Sequence, residues 1–384
     1  MKDVYVVGAN VTKVGEHWEK SLENLAAESA LTSLDRSGVS AVDQIIVSNL
    51  YGEIFQEQSN VGGLLAEETG LLGVPALRVE AGGISGLYAV SMGVQAIHSG
   101  YAKVVLVTGV EKMSDATPEE VLAAGAGEER AEYLGQLGVH QAAEAALLYR
   151  EYMRRHRVTQ EDIAYFPVLD HENASKAHHA QYPFPVKLEA VLNSPYLAEP
   201  IHRLEAAAPS DGAASVILCS GDAAQRLDTP KCRITGLGFA TDIVLSIERR
   251  DPLEMGAVRI AVERALQSAG VERANIRLLE LFDNYSIMAP LCLEAAGFAP
   301  RGRAAEYASK ETFSLSGPLP INTFGGLKAR GHPVGATGVY QVAEGAMQLT
   351  EQAGKNQVYN ASAVLVISLA GLGAGAGAVI LEAV

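Results

Sequence analysis

Gly338-Val339-Tyr340-Gln341-Val342, near the C-terminus, repeats Gly86-Leu87-Tyr88-Ala89-Val90 at an offset of 252 residues. Other echoes surround this pair. Ile234-Thr235-Gly236 follows Val6-Val7-Gly8 at an offset of 228, and Ala378-Val379-Ile380-Leu381 follows Ser215-Val216-Ile217-Leu218 at 163. A helix-like stretch closing at Gly38, then Ile45-Ile46-Val47, is matched by one closing at Gly270, then Leu278-Leu279-Glu280-Leu281. Self-similarity of this kind marks a duplicated unit. The fall of the offset from 252 to 163 places 89 extra residues in the first copy, between Glu111 and Ala207. The chain therefore reads as an N-terminal half, residues 1–228, with an insert at about 112–206, and a C-terminal half, residues 229–384. The insert is rich in Ala, Glu, His and Pro, and Gln141 to Arg155 within it reads as a helix.

Each half alternates apolar strand runs with helical patterns, which predicts α/β layers with strands buried on both faces. Leu87, Val90, Val94 and Ile97 recur at helical spacing, Ser99-Gly100 ends the run, and Val104 to Val107 reads as a buried strand. Gly82-Gly83 thus sits where a strand hands over to a helix. Backbone N–H groups point outward at such a junction, and the helix dipole favours negative charge there.

The 384 residues include 30 basic and 45 acidic side chains, a net charge of −15, which argues against a nucleic-acid partner. With 48% hydrophobic and 20% charged residues, the chain is long enough to bury a large core over two or three domains. Cys219, Cys232 and Cys292 are too few and too scattered for a disulfide framework or a zinc site, and read as small buried hydrophobes. No secretion signal opens the sequence, so the expected location is cytoplasmic. Ala361 to Leu381 runs 21 residues without a charge, but Gly371, Gly373, Gly375 and Gly377 alternate through it. It reads as a strand (Val364 to Ser368), a glycine loop and a second strand (Ala378 to Glu382), not as a membrane span. A dinucleotide loop is excluded because G-x-G-x-x-G with a following helix is absent. His171, His178 and His179 have poor metal spacing and read as part of a solvated loop, so no metal is expected.

Asn322-Thr323-Phe324-Gly325-Gly326-Leu327-Lys328-Ala329-Arg330-Gly331-His332-Pro333-Val334-Gly335-Ala336-Thr337-Gly338 surrounds one histidine with glycines and runs into a helix. By itself His332 is either a structural histidine or an imidazole held beside a substrate. The whole string closely resembles the G-G-x-x-x-x-G-H-P-x-G-A-x-G signature of the thiolase superfamily. Gly109-Val110-Glu111-Lys112-Met113-Ser114 and Ser210-Asp211-Gly212-Ala213-Ala214 resemble two further strings of that family. The resemblance runs from Val4 to Glu382 and is nearest the sterol-carrier-protein type and archaeal-type thiolases. It implies two pseudo-symmetric βαβ-rich halves, a five-layered core, a loop domain inserted in the first half, a homodimer and an acyl-CoA thioester as substrate, with no separate cofactor.

The side chains of a working thiolase are largely missing. The family's nucleophilic cysteine falls on Gly83 within Val79-Glu80-Ala81-Gly82-Gly83-Ile84-Ser85-Gly86. The histidine of its His-Asp/Glu-x-Phe motif is Phe282 in Phe282-Asp283-Asn284-Tyr285, and its acid/base cysteine falls on Ala370 in Ala370-Gly371-Leu372. His332 alone remains. The resemblance leaves the backbone N–H groups of Gly83 and Leu372 as an oxyanion hole, and places Gly325, Gly326, Phe282, Ala370 and Gly371 around the substrate. Tyr285 brings a phenol near the site, with Tyr340 a weaker candidate; each tyrosine has packing as its alternative. Asp283 is expected to fix a turn. These residues imply not cysteine-dependent thiolase chemistry but aldol-type cleavage or formation of a C–C bond through a thioester enolate. Superfamily aldolases that lack the cysteine work with a small zinc-ribbon and OB-fold partner, which the resemblance makes a candidate here. The rival is a non-catalytic scaffold or acyl-CoA/lipid-binding subunit. A cysteine introduced at Gly83 is expected to be slowly acylated.

Overall fold

The computed structural model of the chain describes residues 3–384. Its strands are β1 (Val4–Val11), β2 (Gln44–Ser48), β3 (Ala76–Val79), β4 (Val104–Glu111), β5 (Tyr196–Ala198), β6 (Ile201–His202), β7 (Gly212–Ser220), β8 (Cys232–Thr241), β9 (Leu278–Glu280), β10 (Ala363–Ala370) and β11 (Gly375–Ala383). Nine form one sheet in the order β3-β2-β4-β7-β1-β8-β11-β10-β9. The echoes of the sequence occupy mirrored places in it. β1 and β8 lie side by side at the centre, antiparallel, with Val4 opposite Ile234 and Val6 opposite Cys232. β7 and β11 flank them. β4 and β10 follow, also antiparallel, and then β2 and β9, both parallel to their neighbours.

Successive strand residues point to opposite faces, and both faces are apolar. In the first half, Leu106, Ile217 and Cys219 meet the helices Leu22–Ser37 and Val61–Glu68. Val105, Val107, Val216 and Leu218 turn the other way, onto the helices Ser85–Ser99 and Thr337–Leu349. In the second half Val364, Val366, Val379 and Leu381 cover the other side of those central helices. Leu365, Ile367 and Ile380 face outward to the helices Gly256–Ala269 and Met288–Ala295. The one sheet thus wraps round the central helices, its two halves on opposite sides of them, and the layers run helix, sheet, helix, sheet, helix. Each such side chain buried contributes about 1.5–3 kcal/mol before the entropy of ordering.

The central helices cross at the repeated glycines. A Cβ on Gly86 would stand 2.7 Å from the Val339 nitrogen and 2.8 Å from Gly338 Cα; one on Gly338 would stand 2.7 Å from the Leu87 nitrogen. Only hydrogen fits at this approach. Both helices therefore start next to one another, which brings the Gly82-Gly83 turn and the His332 loop to the same end of the core.

Between β4 and β7 lie the helices Pro118–Gly125, Ala131–Leu137, Gln141–His156, Gln160–Ala174 and Leu188–Leu192 and the small hairpin β5–β6. Two sequence readings need correction here. His171 and His179 are buried rather than part of a solvated loop. His179 Nε2 lies 2.9 Å from Glu344 Oε1, and His171 Nδ1 lies 3.0 Å from the Phe184 carbonyl oxygen, so long-range polar partners make their burial tolerable. The C-terminal strands are also longer than the glycine pattern implies. Ala370 pairs with Gly375, which leaves only residues 371–374 as the turn, and the Phe239 ring packs against Gly377. Among the described residues no helix is long and apolar enough to cross a membrane.

Candidate functional site

The turn between β3 and the helix Ser85–Ser99 is pinned by one hydroxyl. Ser85 Oγ accepts from the Ala81 N–H at 2.8 Å and donates to the Gly82 carbonyl at 2.5 Å. The Gly83 N–H is left free of the helix and donates to Glu128 Oε2 at 2.8 Å. Across from it stands the turn after β10. Its Gly371 N–H reaches the same Glu128 oxygen at 3.4 Å, and its Leu372 N–H donates to Glu129 Oε1 at 2.9 Å. Arg249 steadies this turn by donating from Nη1 to the Leu372 carbonyl at 2.9 Å. The two backbone donors singled out in the sequence, Gly83 and Leu372, thus converge on a pair of adjacent carboxylates from the insert.

Burial raises the pKa of Glu128, opposed by the N–H groups of Gly83 and Gly371 and by the Tyr51 hydroxyl, which donates to Oε1 at 3.2 Å. Burial pushes Glu129 up to about 8, with the Glu144 charge adding to it and the Leu372 N–H opposing. Glu129 Oε2 has no hydrogen-bond partner among the described residues. Glu128, Glu129 and Tyr51 were not marked by sequence reasoning. The only local signal is that two acids stand together in a segment otherwise written in Ala and Gly, Ala123-Ala124-Gly125-Ala126-Gly127.

His332 is half-buried. Its N–H donates to Ser210 Oγ at 3.1 Å, its Nδ1 lies 2.8 Å from Thr337 Oγ1, and the Phe282 ring meets it edge-on at 5.1 Å between centroids. Burial, reinforced by the Arg330 charge, lowers its pKa to about 3. The imidazole is neutral across the physiological range. The unfolded chain, with histidine near 6.5, takes up a proton that the folded chain refuses, so stability is lost as pH falls from about 6.5 toward 3. Unfolding free energies of the wild type and His332→Asn, measured against pH, should diverge by up to about 1.4 kcal/mol per pH unit in that window. Parallel curves would mean that His332 titrates normally.

Tyr285 is half-buried, and burial, with the Glu128 and Glu129 charges beside it, raises its pKa, so it stays a phenol that can donate a proton. Tyr340 is fully buried, 3.1 Å from Thr12 Oγ1 and donating to the Thr12 carbonyl at 3.1 Å, with Arg330 stacked on its ring at 4.8 Å. Its packing role therefore prevails. Gly325 and Gly326 lie against Asp170, Ala174 and Asp283 of the neighbouring elements. Asp283 Oδ1 accepts from the Leu327 N–H at 2.7 Å and so fixes this glycine loop. Phe282 and Ala370 lie beside Gly83 and Gly82, so the positions without reactive side chains cluster round one turn.

The remaining two strings are structural clamps. Glu111 takes the N–H groups of Leu50 and Tyr51, which orients Tyr51 toward Glu128. Asp211 accepts from the N–H groups of Met113 (2.7 Å), Ser114 (2.8 Å) and His17 (2.8 Å) and from Ser114 Oγ (2.6 Å). All three cysteines are buried, and burial pushes Cys219 and Cys232 up to about 12 and Cys292 upward as well, so none offers a thiolate. Among the described residues no group of three His, Cys, Asp or Glu is placed to hold a metal.

Residues 4–222 match the family described as "Thiolase, N-terminal domain", and residues 238–383 match "Thiolase C-terminal domain-like". The chain belongs to the thiolase family. It is 35% identical over 375 residues to an acetyl-CoA acetyltransferase of Methanothermobacter thermautotrophicus, covering 97% of each chain. It is 29% identical over 382 residues to sterol carrier protein 2 of Homo sapiens, covering 95% of this chain and 69% of that protein. The Ltp2-ChsH2(DUF35) aldolase shares its fold with a TM-score of 0.86 at 23% identity, over 99% of this chain and 98% of that one. Human mitochondrial 3-ketoacyl-CoA thiolase gives a TM-score of 0.76 at 19% identity, over 100% and 99%. Within the thiolase fold, the glycine turn and the terminal loop keep their backbone donors while neither carries a cysteine.

Proposed function

We propose that this protein binds an acyl-CoA thioester and stabilises its enolate, making or breaking a C–C bond by aldol chemistry without a covalent acyl-enzyme. The observation that carries this reading is that the Gly83 and Leu372 N–H groups, on two facing turns, each hold a carboxylate oxygen, one of Glu128 and the other of the adjacent Glu129. Donors arranged for an anionic oxygen suit a thioester enolate, and each such donor is worth about 3 kcal/mol of barrier. An acyl transfer would need a nucleophile, and glycine and alanine stand where the family pattern puts its cysteines. Enolate formation needs neither, and calls on no cofactor beyond the thioester. In the bond-forming direction Tyr285 donates a proton to the acceptor carbonyl oxygen as it becomes a hydroxyl. In cleavage that proton returns from the hydroxyl to the phenolate oxygen, and the neutral His332 stands by as a hydrogen-bonding group. The likeness to the Ltp2-ChsH2(DUF35) aldolase supports a second, different chain as partner. The open edge of β3, one of the two end strands of the sheet, supports a homodimer.

One observation favours a non-catalytic acyl-CoA-binding subunit: the chain's own carboxylates already occupy the donors. A single experiment separates the readings. Incubation with acetyl-CoA in D₂O, at a concentration where sedimentation gives the dimer, should exchange the acetyl methyl protons, followed by ¹H NMR. Intact-mass spectrometry of the same sample should return the unmodified protein. Binding without exchange would sink the enolate reading in favour of the subunit role, and an acetyl adduct on cysteine would sink both.

A further inference from the structure

The insert carries a carboxylate into the place where the thiolase pattern has lost its acid/base group. A Cβ on Gly82 would stand 2.9 Å from Glu128 Oε2 and 3.1 Å from the Ala370 Cβ, so the carboxylate and the alanine methyl flank one point. Glu128 Oε2 is held there by the Gly83 and Gly371 N–H groups, and Oε1 by the Tyr51 hydroxyl. Tyr51 is itself locked, its N–H on Glu111 and its ring tilted against Phe55 at 5.0 Å. Glu128 is reached from 45 residues away along the chain, at the close of the short turn Ala126–Glu128.

We propose that Glu128 is the catalytic base of this site, removing the proton from the α-carbon of the bound thioester. The inference rests on the thioester-enolate reading. In the free protein this carboxylate sits on the Gly83 N–H and the adjacent Glu129 on the Leu372 N–H, the two donors that the thioester oxygen needs. When that oxygen takes the Gly83 N–H, Glu128 loses a hydrogen bond that stabilises its charge and keeps the Tyr51 hydroxyl. Its basicity rises at the moment the substrate arrives. Burial and the neighbouring Glu80 act in the same direction. In the step, the Cα–H bond breaks and its proton passes to a Glu128 oxygen. The electron pair forms the Cα=C bond, and the carbonyl π pair moves onto the oxygen held by the backbone donors. Reversal returns a proton to Cα. Between the two the carboxyl exchanges with solvent, so D₂O labels the acyl group.

The test compares wild type, Glu128→Gln and Glu132→Gln, the last an exposed acid on the following helix as a charge control. Acetyl-CoA binding is measured by calorimetry and methyl exchange in D₂O by ¹H NMR. Glu128→Gln keeps the shape of the side chain and an oxygen acceptor for the Gly83 and Gly371 N–H groups, while its amide N–H donates to the Tyr51 hydroxyl in place of accepting from it. Its thermal transition should therefore be retained, and its acetyl-CoA affinity should stay within about threefold of wild type or tighten. Its exchange should fall by roughly 10²–10⁴-fold, the usual worth of a general base. Glu132→Gln should exchange at the wild-type rate. Exchange by Glu128→Gln at or above the wild-type rate overturns this proposal alone, and makes the carboxylate a mere occupant of the hole. A wild type that binds acetyl-CoA without exchange overturns the enolate reading and this proposal together.

Discussion

Gly83→Cys should destabilise the protein and remain unacylated. From sequence alone the substitution restores a nucleophile beside a histidine, and slow acylation is the natural expectation. The structure reverses it. A Cβ at residue 83 would press into the Leu369 carbonyl oxygen of β10 and stand 2.8 Å from the Phe282 Cζ. The turn has settled onto the strand because nothing at residue 83 holds it off, and Phe282 fills the room that a histidine has in the family pattern. Forcing a side chain in here costs about 1–3 kcal/mol of overpacking, and the thiol is pushed out of line with the backbone donors. A urea titration should show the lowered midpoint, and intact mass after acetyl-CoA should show no adduct. Adding Phe282→Ala should recover only part of the loss, because the carbonyl contact is backbone. Rapid stoichiometric acetylation of residue 83 would mean that the turn opens far more easily than its packing implies.

Asp211→Ala should cost about 3–5 kcal/mol of unfolding free energy, the usual result of removing one partner from a buried ionic network. Asp211 is fully buried and ties its own loop to two others, through His17 and through Met113 and Ser114, with Lys112 3.6 Å away. Its removal strands three backbone N–H groups, each of which is expensive to leave unpaired. The neighbouring Ser210 supports the His332 N–H, so the His332 loop should loosen as well. Asp211→Asn retains an acceptor and should lose less. Chemical denaturation of the two variants reads the difference directly; a loss below about 1 kcal/mol for alanine would show that water replaces the carboxylate.

The layers are legible in the sequence, as are the positions where the family pattern has reactive side chains and this chain has others. A duplicated order of strands and helices has few ways to bury two apolar faces per sheet, and the repeated Gly86 and Gly338 turned out to be the contact between the halves. Gly83 could be read as a loss because Val79, Glu80, Ser85 and Gly86 of its string remain, whereas Phe282 keeps only Asp283 of its motif and Ala370 is read from its place before the terminal glycine loop. Tyr340 and the histidines of the insert show where such reading stops. Whether a side chain is packed or poised depends on what other segments bring to it, and Thr12 meets Tyr340 from 328 residues away. The same holds for the carboxylates that fill the anion hole. Glu128 and Glu129 lie in no motif and follow no periodicity, and other acids stand close by at Glu119, Glu120 and Glu132. Only the folding of the insert over the two glycine turns selects these two, placing Glu129 against the N–H of Leu372 across 243 residues. Local pattern reports the conformation of a segment, whereas the partner of a backbone donor at a helix start is whatever group the tertiary fold delivers there.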